Sequence, residues 1–238
     1  MGSPYGLQLV ENCIICKLRS DNFFCALPPA ALESFEKIKF ATAYPRGAIL
    51  FVEGQPSRGI YMLCKGRVKL SVNSADGRTL ILKIAEPGEV LGMHACVSGL
   101  NYELTAETIQ PCQVNFVRRD DFLRFLHEHG SACLRAAHHL SDNCHSAYDL
   151  IRSLGLSHSA GEKLARFLLE LSADGEKTKE GVRAKMGLTH EEIAQIIGTS
   201  RETVTRLLAD FKRKKFATLK GSTLLIHNKP ELEKLVGS

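Results

Sequence analysis

The stretch GLTHEEIAQIIGTSRETVTRLLADFKRKK, residues 187–215, constrains this chain more than any other part of it. Ile193, Ile196 and Ile197 recur at the spacing of one helix face, and Val204, Leu207, Leu208 and Phe211 do the same further on. Two helices must therefore turn their apolar sides toward one small core. Thr189 stands as an N-cap before Glu191 and Glu192, whose carboxylates suit the positive end of a helix. Gly198 supplies a turn, and Thr199 or Ser200 caps the helix that follows. Helix, short glycine turn and helix make a helix-turn-helix, whose second helix can lie in a DNA major groove.

The polar face of that second helix carries Arg201, Glu202, Thr205 and Arg206. Arginine can bond guanine bidentately and a carboxylate can accept from cytosine N4, each good pair discriminating by roughly 1–3 kcal/mol. A solvated surface helix would also carry charge, so charge distribution has to decide. From Ile196 to Lys220 there are seven basic residues (Arg201, Arg206, Lys212, Arg213, Lys214, Lys215 and Lys220) against Glu202 and Asp210, a local excess equal to the +5 of the whole chain. Positive charge gathered at one helix end favours phosphate binding, with a salt-sensitive affinity.

The run TSRETVTRLLADFKRKK, followed by a strand pair around Ala217 to Ile226, resembles the winged helix-turn-helix of the Crp/Fnr regulators, and the resemblance extends over nearly the whole chain. It implies that Arg201, Glu202 and Arg206 read a DNA half-site, supported by Thr199, Ser200, Thr205 and Lys212. The helix is a hybrid of the cyclic-AMP receptor protein and the fumarate and nitrate reduction regulator, and the layout is nearer the latter branch. The implied target is palindromic double-stranded DNA with TGTGA-like or TTGA-like halves, with RNA polymerase as a further partner.

A length of 238 residues and an apolar content of 44% suit two modest globular domains. No early segment has the form of a secretory leader, and no apolar run approaches the roughly 20 residues that span a bilayer. A cytoplasmic location without membrane contact is expected. Eight cysteines in such a setting are thiols or ligands before they are disulfides. Cys13, Cys16 and Cys25 form C-x2-C-x8-C in the opening segment, a pattern open to a metal site, zinc included, a redox pair at Cys13 and Cys16, or unligated thiols. The family resemblance selects a [4Fe-4S] cluster held by Cys13, Cys16, Cys25 and, in ETIQPCQVNFV, Cys112. The spacing departs from the family's, which has five residues rather than eight between the second and third cysteines. Cys64, Cys96, Cys133 and Cys144 read as small buried hydrophobes.

Between Ala41 and Arg118 the runs AILFVE, GIYMLCKG, RVKLSVN, TLILKIA and CQVNFV are separated by glycines, which predicts an antiparallel roll. The resemblance makes it a cyclic-nucleotide-binding-like roll. Cyclic AMP is not expected, because Met93 and Leu104 stand where nucleotide-binding members place a glutamate and a phosphate-binding arginine, and an uncompensated buried phosphate is costly. The histidines, His94, His127, His129, His138, His139 and His145 among them, show no haem-ligand spacing and read as exposed helix residues.

Cys133, Ala137, Leu140, Cys144, Ala147, Ile151 and Leu154 alternate in steps of four and three, the seam of a coiled coil. A palindromic site requires a twofold protein, so this helix is read as a parallel homodimer seam. Gly155 to Ser159 is expected to break it as a hinge. The whole is an α+β chain: a cysteine-containing arm over 1–27, a sensory roll over 28–128, a dimerisation helix over 129–155 and a winged helix-turn-helix over 156–238. No nucleophile, base and oxyanion set points to an enzyme. The weaker alternatives are a regulator responding to thiol oxidation or to a small ligand in the roll, and a metal-binding or redox enzyme with an incidental basic helix.

Overall fold

The computed structural model describes residues 4–7, 9–10, 12–16, 25–156 and 159–237. It divides into two units, Met1–Ser146 and Ala147–Ser238.

The first unit is built from α1 (Pro29–Ile38), β1 (Lys39–Tyr44), β2 (Ile49–Phe51), β3 (Gly59–Lys65), β4 (Val68–Asn73), β5 (Thr79–Ala85), β6 (Val90–Leu91), α2 (Met93–Ser98), β7 (Thr105–Thr108), β8 (Cys112–Arg118), α3 (Arg119–Glu128) and the start of α4 (Gly130–Leu156). The strands form two antiparallel sheets, β1-β8-β3-β6 and β2-β7-β4-β5. Leu63, Val68, Leu70, Ala106, Cys112 and Val114 fill the space between them. A second core lies on the other face of the first sheet, where Ile60, Met62 and Val117 meet Phe35 of α1, Phe122 and Phe125 of α3, and Ala132 and Ala136 of α4. Each of these phenylalanines is at most 3% exposed, a burial that stabilises by roughly 1.5–3 kcal/mol per side chain.

Successive side chains on a strand point to opposite faces, and β8 uses both. Cys112 and Val114 enter the core between the sheets. Gln113 and Asn115 are fully buried as well, but turn toward the side on which the N-terminal arm runs.

The second unit contains α5 (Ala160–Leu171), β9 (Glu176–Thr178), β10 (Gly181–Lys185), α6 (His190–Ile197), α7 (Arg201–Arg213), β11 (Ala217–Lys220), β12 (Thr223–Ile226) and α8 (Lys229–Leu235). Its sheet runs β11-β12-β10-β9. Ile193, Ala194 and Ile197 of α6, Val204 and Phe211 of α7, and Leu164 and Leu168 of α5 are buried together with Leu224 and Ile226 of the wing.

The α+β architecture agrees with the sequence; three details differ from it. The segment after the roll is two helices, because Phe122, Phe125 and Leu126 give α3 its own buried face. Helix α2 follows Gly92, within the stretch expected to form only strands and their connections. Helix α4 also continues through Gly155 to Leu156, since an interior glycine costs only about 1 kcal/mol. Of the expected hinge, Ser157 and His158 lie outside the described residues, and Ser159 caps α5 by accepting from Glu162 N.

Candidate functional site

The helix pair is fixed by its caps. Thr189 and Glu192 form a reciprocal capping box at α6. Gly198 ends α6 at φ +65°, a left-handed conformation that a β-carbon opposes. Ser200, rather than Thr199, accepts from Thr203 N at the start of α7. With Val204 and Phe211 buried, Arg201, Glu202, Thr205, Arg206 and Lys212 are left on the exposed side. Thr205 Oγ1 donates to Arg201 O at 2.9 Å and also meets His190 Nδ1 at 2.9 Å. Asp210 pairs with Arg213 and with Lys214, the latter at 2.9 Å, and these bonds hold its carboxyl below the usual range. Among the described residues no ion pair engages Arg201, Arg206 or Lys212, so their charges face outward.

The second cluster lies on the roll. Val10 N donates to Gln113 Oε1 at 3.0 Å and Gln113 Nε2 donates to Val10 O at 2.7 Å. Cys13 N donates to Glu36 Oε2 at 2.9 Å, while Glu36 pairs with Lys39 at 3.2 Å. These bonds set the arm against the sheet, where Cys13, Cys16, Cys25 and Cys64 line one cleft with Val10, Met62, Pro87 and Asn115. Its open space is about 430 Å3, solvent-facing part included. Asn115 Nδ2 lies 3.6 Å from Cys13 Sγ, and its buried Oδ1 has no partner among the described residues. Burial pushes the Cys13 thiol up to about 12 against the lowering effect of Lys39. Burial does the same to Cys64, with Cys13, Cys25 and Cys16 adding to the rise.

The structure thus brings three of the four expected ligands together and does not bring Cys112 to them. Cys112 is fully buried in the core between the sheets, with Sγ 3.3 Å from Arg67 O and 3.2 Å from Gln110 O. Cys64, read from sequence as a buried hydrophobe, lines the cleft instead. It lines the cleft together with Met62 at a register shift of β3 against β8, which alternation along the sequence does not reveal. Cys96 is buried as expected, whereas Cys133 and Cys144 are exposed.

Helix α4 packs one side on the roll through Ala132 and Ala136, with Leu140 half-buried against the same core. Arg135 Nη2 donates to Ala26 O at 3.1 Å, beside Cys25. His139 meets Val90 O at 3.0 Å, and burial keeps its imidazole below the ordinary pKa. On the expected seam, Cys133, Ala137, Cys144, Ala147 and Ile151 are exposed on the single chain; the side chain of Leu154 lies outside the described residues. Met93 is buried and Leu104 packs on the core between the sheets, leaving the two positions apolar. No helix among the described residues is long and apolar enough to cross a membrane.

Residues 41–129 match the cyclic nucleotide-binding domain family and residues 162–235 the Crp-like helix-turn-helix domain family. The chain is 31% identical to the transcriptional activatory protein AadR of Rhodopseudomonas palustris, over 86% of this chain and 84% of that one. It is 29% identical to a CRP-like cAMP-activated global transcriptional regulator of Mycobacterium tuberculosis, over 88% and 93%. The fold is similar to that of FixK2 from Bradyrhizobium japonicum, with a TM-score of 0.73 at 23% identity over 83% of this chain and 97% of that one.

Proposed function

Because this chain belongs to the Crp/Fnr family of transcription regulators, we propose that it binds palindromic DNA as a homodimer and senses oxygen, nitric oxide or redox state through a [4Fe-4S] cluster on its cysteine arm. The DNA half rests on the outward charges of Arg201, Arg206 and Lys212 beside Glu202 on a doubly capped helix pair. The sensory half rests on one observation, the convergence of the three arm cysteines on a cleft of the roll.

The donors suit such a group. They are soft sulfurs, with an amide N–H directed at one of them and an unpartnered buried acceptor beside it. Among the described residues no three metal-ligating side chains are set around one ion. Cys13, Cys16 and Cys25 would hold such a cluster through their thiolate sulfurs. When held, it supplies reactivity toward oxygen and nitric oxide that side chains lack.

The chain's own residues offer a route onward. Cys25 adjoins Ala26, whose carbonyl accepts from Arg135 of α4, and Cys13, Cys25 and Leu140 pack on one core. A shift of the arm is therefore felt by α4. The exposed alanines and cysteines of the seam bury little area each, which suits a dimer weak enough to regulate. A twofold pairing sets two recognition helices about one DNA turn apart, and RNA polymerase is the downstream partner. The apolar Met93 and Leu104 argue against a cyclic nucleotide.

A cluster-free reading by thiol oxidation draws support from the turn in which Cys16 N meets Cys13 O at 3.4 Å. Anaerobic purification separates the two. The cluster reading expects brown protein whose affinity for a TGTGA- or TTGA-type palindrome falls about tenfold, or ~1.4 kcal/mol, in air. Colourless protein whose DNA affinity is indifferent to air removes the sensory reading and leaves the DNA reading standing.

A further inference from the structure

We propose that His190, at the start of α6, is a specificity-determining residue of the DNA-reading surface: it fixes the side chain of Thr205 so that the methyl group, not the hydroxyl, is left to meet the bases. This inference rests on the sequence-specific DNA binding proposed for α7. The two residues are 15 positions apart on different helices of the second unit. His190 is the first residue of α6, directly after the Thr189 cap, and is half-buried, whereas Thr205 is exposed early in α7.

The direction of the two bonds follows from what each atom can do. Thr205 Oγ1 lies 2.9 Å from Arg201 O and 2.9 Å from His190 Nδ1. A carbonyl oxygen only accepts and a hydroxyl has one proton, so that proton goes to Arg201 O. His190 must then donate from Nδ1, since two lone pairs facing each other at that distance would repel. The hydroxyl is thereby engaged twice by the protein, once along its own helix and once from α6. With the first bond alone, a helical threonine has no single arrangement, because its Oγ1 reaches the carbonyls of the preceding turn from two rotamers. The bond from His190 selects one of them, and with it the place of the methyl carbon.

The consequence is for base reading. A free threonine hydroxyl can bond donors or acceptors on several base edges, whereas a methyl group in the major groove has one matching feature, the C5-methyl of thymine. Committing the hydroxyl to Arg201 and His190 turns Thr205 from a general polar contact into a thymine reader. His190 need touch no base to do this. The other end of the bond chain is the carbonyl of Arg201, the first residue of α7, so the same brace steadies the turn that carries Arg201 and Glu202.

The test uses the full chain. Its site is selected from randomised duplex DNA, and each thymine of one half-site is then replaced by uracil, which removes only the C5-methyl. The parent should bind about fourfold more weakly at one such position, the factor that one buried CH2 group is worth. Thr205→Ser should abolish this preference and Thr205→Val should keep it. His190→Ala should bring the thymine-to-uracil ratio toward one, and His190→Asn, which retains an N–H donor, should restore it. Combined with Thr205→Val, His190→Ala should leave the ratio unchanged, because no hydroxyl remains to be fixed. A histidine that only braces α6 against α7 would, on removal, lower the melting temperature and weaken every duplex alike with the ratio intact. That result overturns the proposal, as does a parent indifferent to uracil at every position. A selection that yields no preferred sequence overturns the DNA reading itself, and the proposal with it.

Discussion

Gln113 holds Val10 by both of its peptide groups, accepting from Val10 N at 3.0 Å and donating to Val10 O at 2.7 Å. A strand residue fully buried in the roll thereby gives the arm a backbone-like pairing through its side chain. Gln113→Ala would leave two peptide groups unsatisfied where they are half-buried, at roughly 1–3 kcal/mol. Amide exchange at Val10 should quicken by about tenfold or more, while exchange in the β3–β8 ladder stays unchanged. Equal exchange at Val10 in variant and parent would show that the clamp does not hold the arm.

The outward charges of α7 divide by role. Arg201→Ala should cost about 1–3 kcal/mol on a specific palindrome and relax discrimination at one base position. Lys212→Ala should weaken all sequences alike and lower the salt slope by about 1. Fluorescence anisotropy across a salt series on specific and scrambled DNA separates the two. Identical effects of both substitutions on both DNAs would contradict base reading by Arg201.

Much of this organisation was legible because it rests on local signals. The caps at Thr189 and Ser200, the turn at Gly198 and the apolar spacing of α6 and α7 are each set within a few residues, and the structure reproduces them. The placement of the cysteines was not local. Cys112 was expected beside the arm from the family resemblance; the structure buries it between the sheets, and its neighbour Gln113 is the residue that bonds the arm. Cys64 looked like one more apolar residue in GIYMLCKG, because its exposure to a cleft is created by an arm about 50 residues earlier in the chain. Helix α2 was missed because its six residues are too few for a helical period to show, and α3 because its residues follow β8 directly and were read with the roll.

Ile151 is 66% exposed on α4, beside Ala147 and Tyr148. A charge there costs the single chain little, within about 0.5 kcal/mol for a surface position, but it would be buried without a partner in a twofold seam. Ile151→Glu should therefore convert a dimer to a monomer in light scattering and abolish palindrome binding, with the melting temperature of each unit preserved. A variant that remains dimeric would place the seam elsewhere.

His139 ties α4 to β6 through Val90 O, with Lys83, Glu89 and Asp142 also acting on its ring. Burial, the largest influence, disfavours the charged imidazolium and depresses the pKa. The folded state thus binds this proton less readily than the unfolded chain does. The stabilisation is complete above the ordinary histidine value of about 6.5 and is lost as pH falls through the lower folded value. The melting temperature of the first unit should accordingly drop between pH 7.5 and pH 5.5, and His139→Gln, which keeps a donor for Val90 O without titrating, should reduce that drop. A variant whose pH profile superimposes on the parent's would remove His139 from the acid sensitivity of the α4–roll contact.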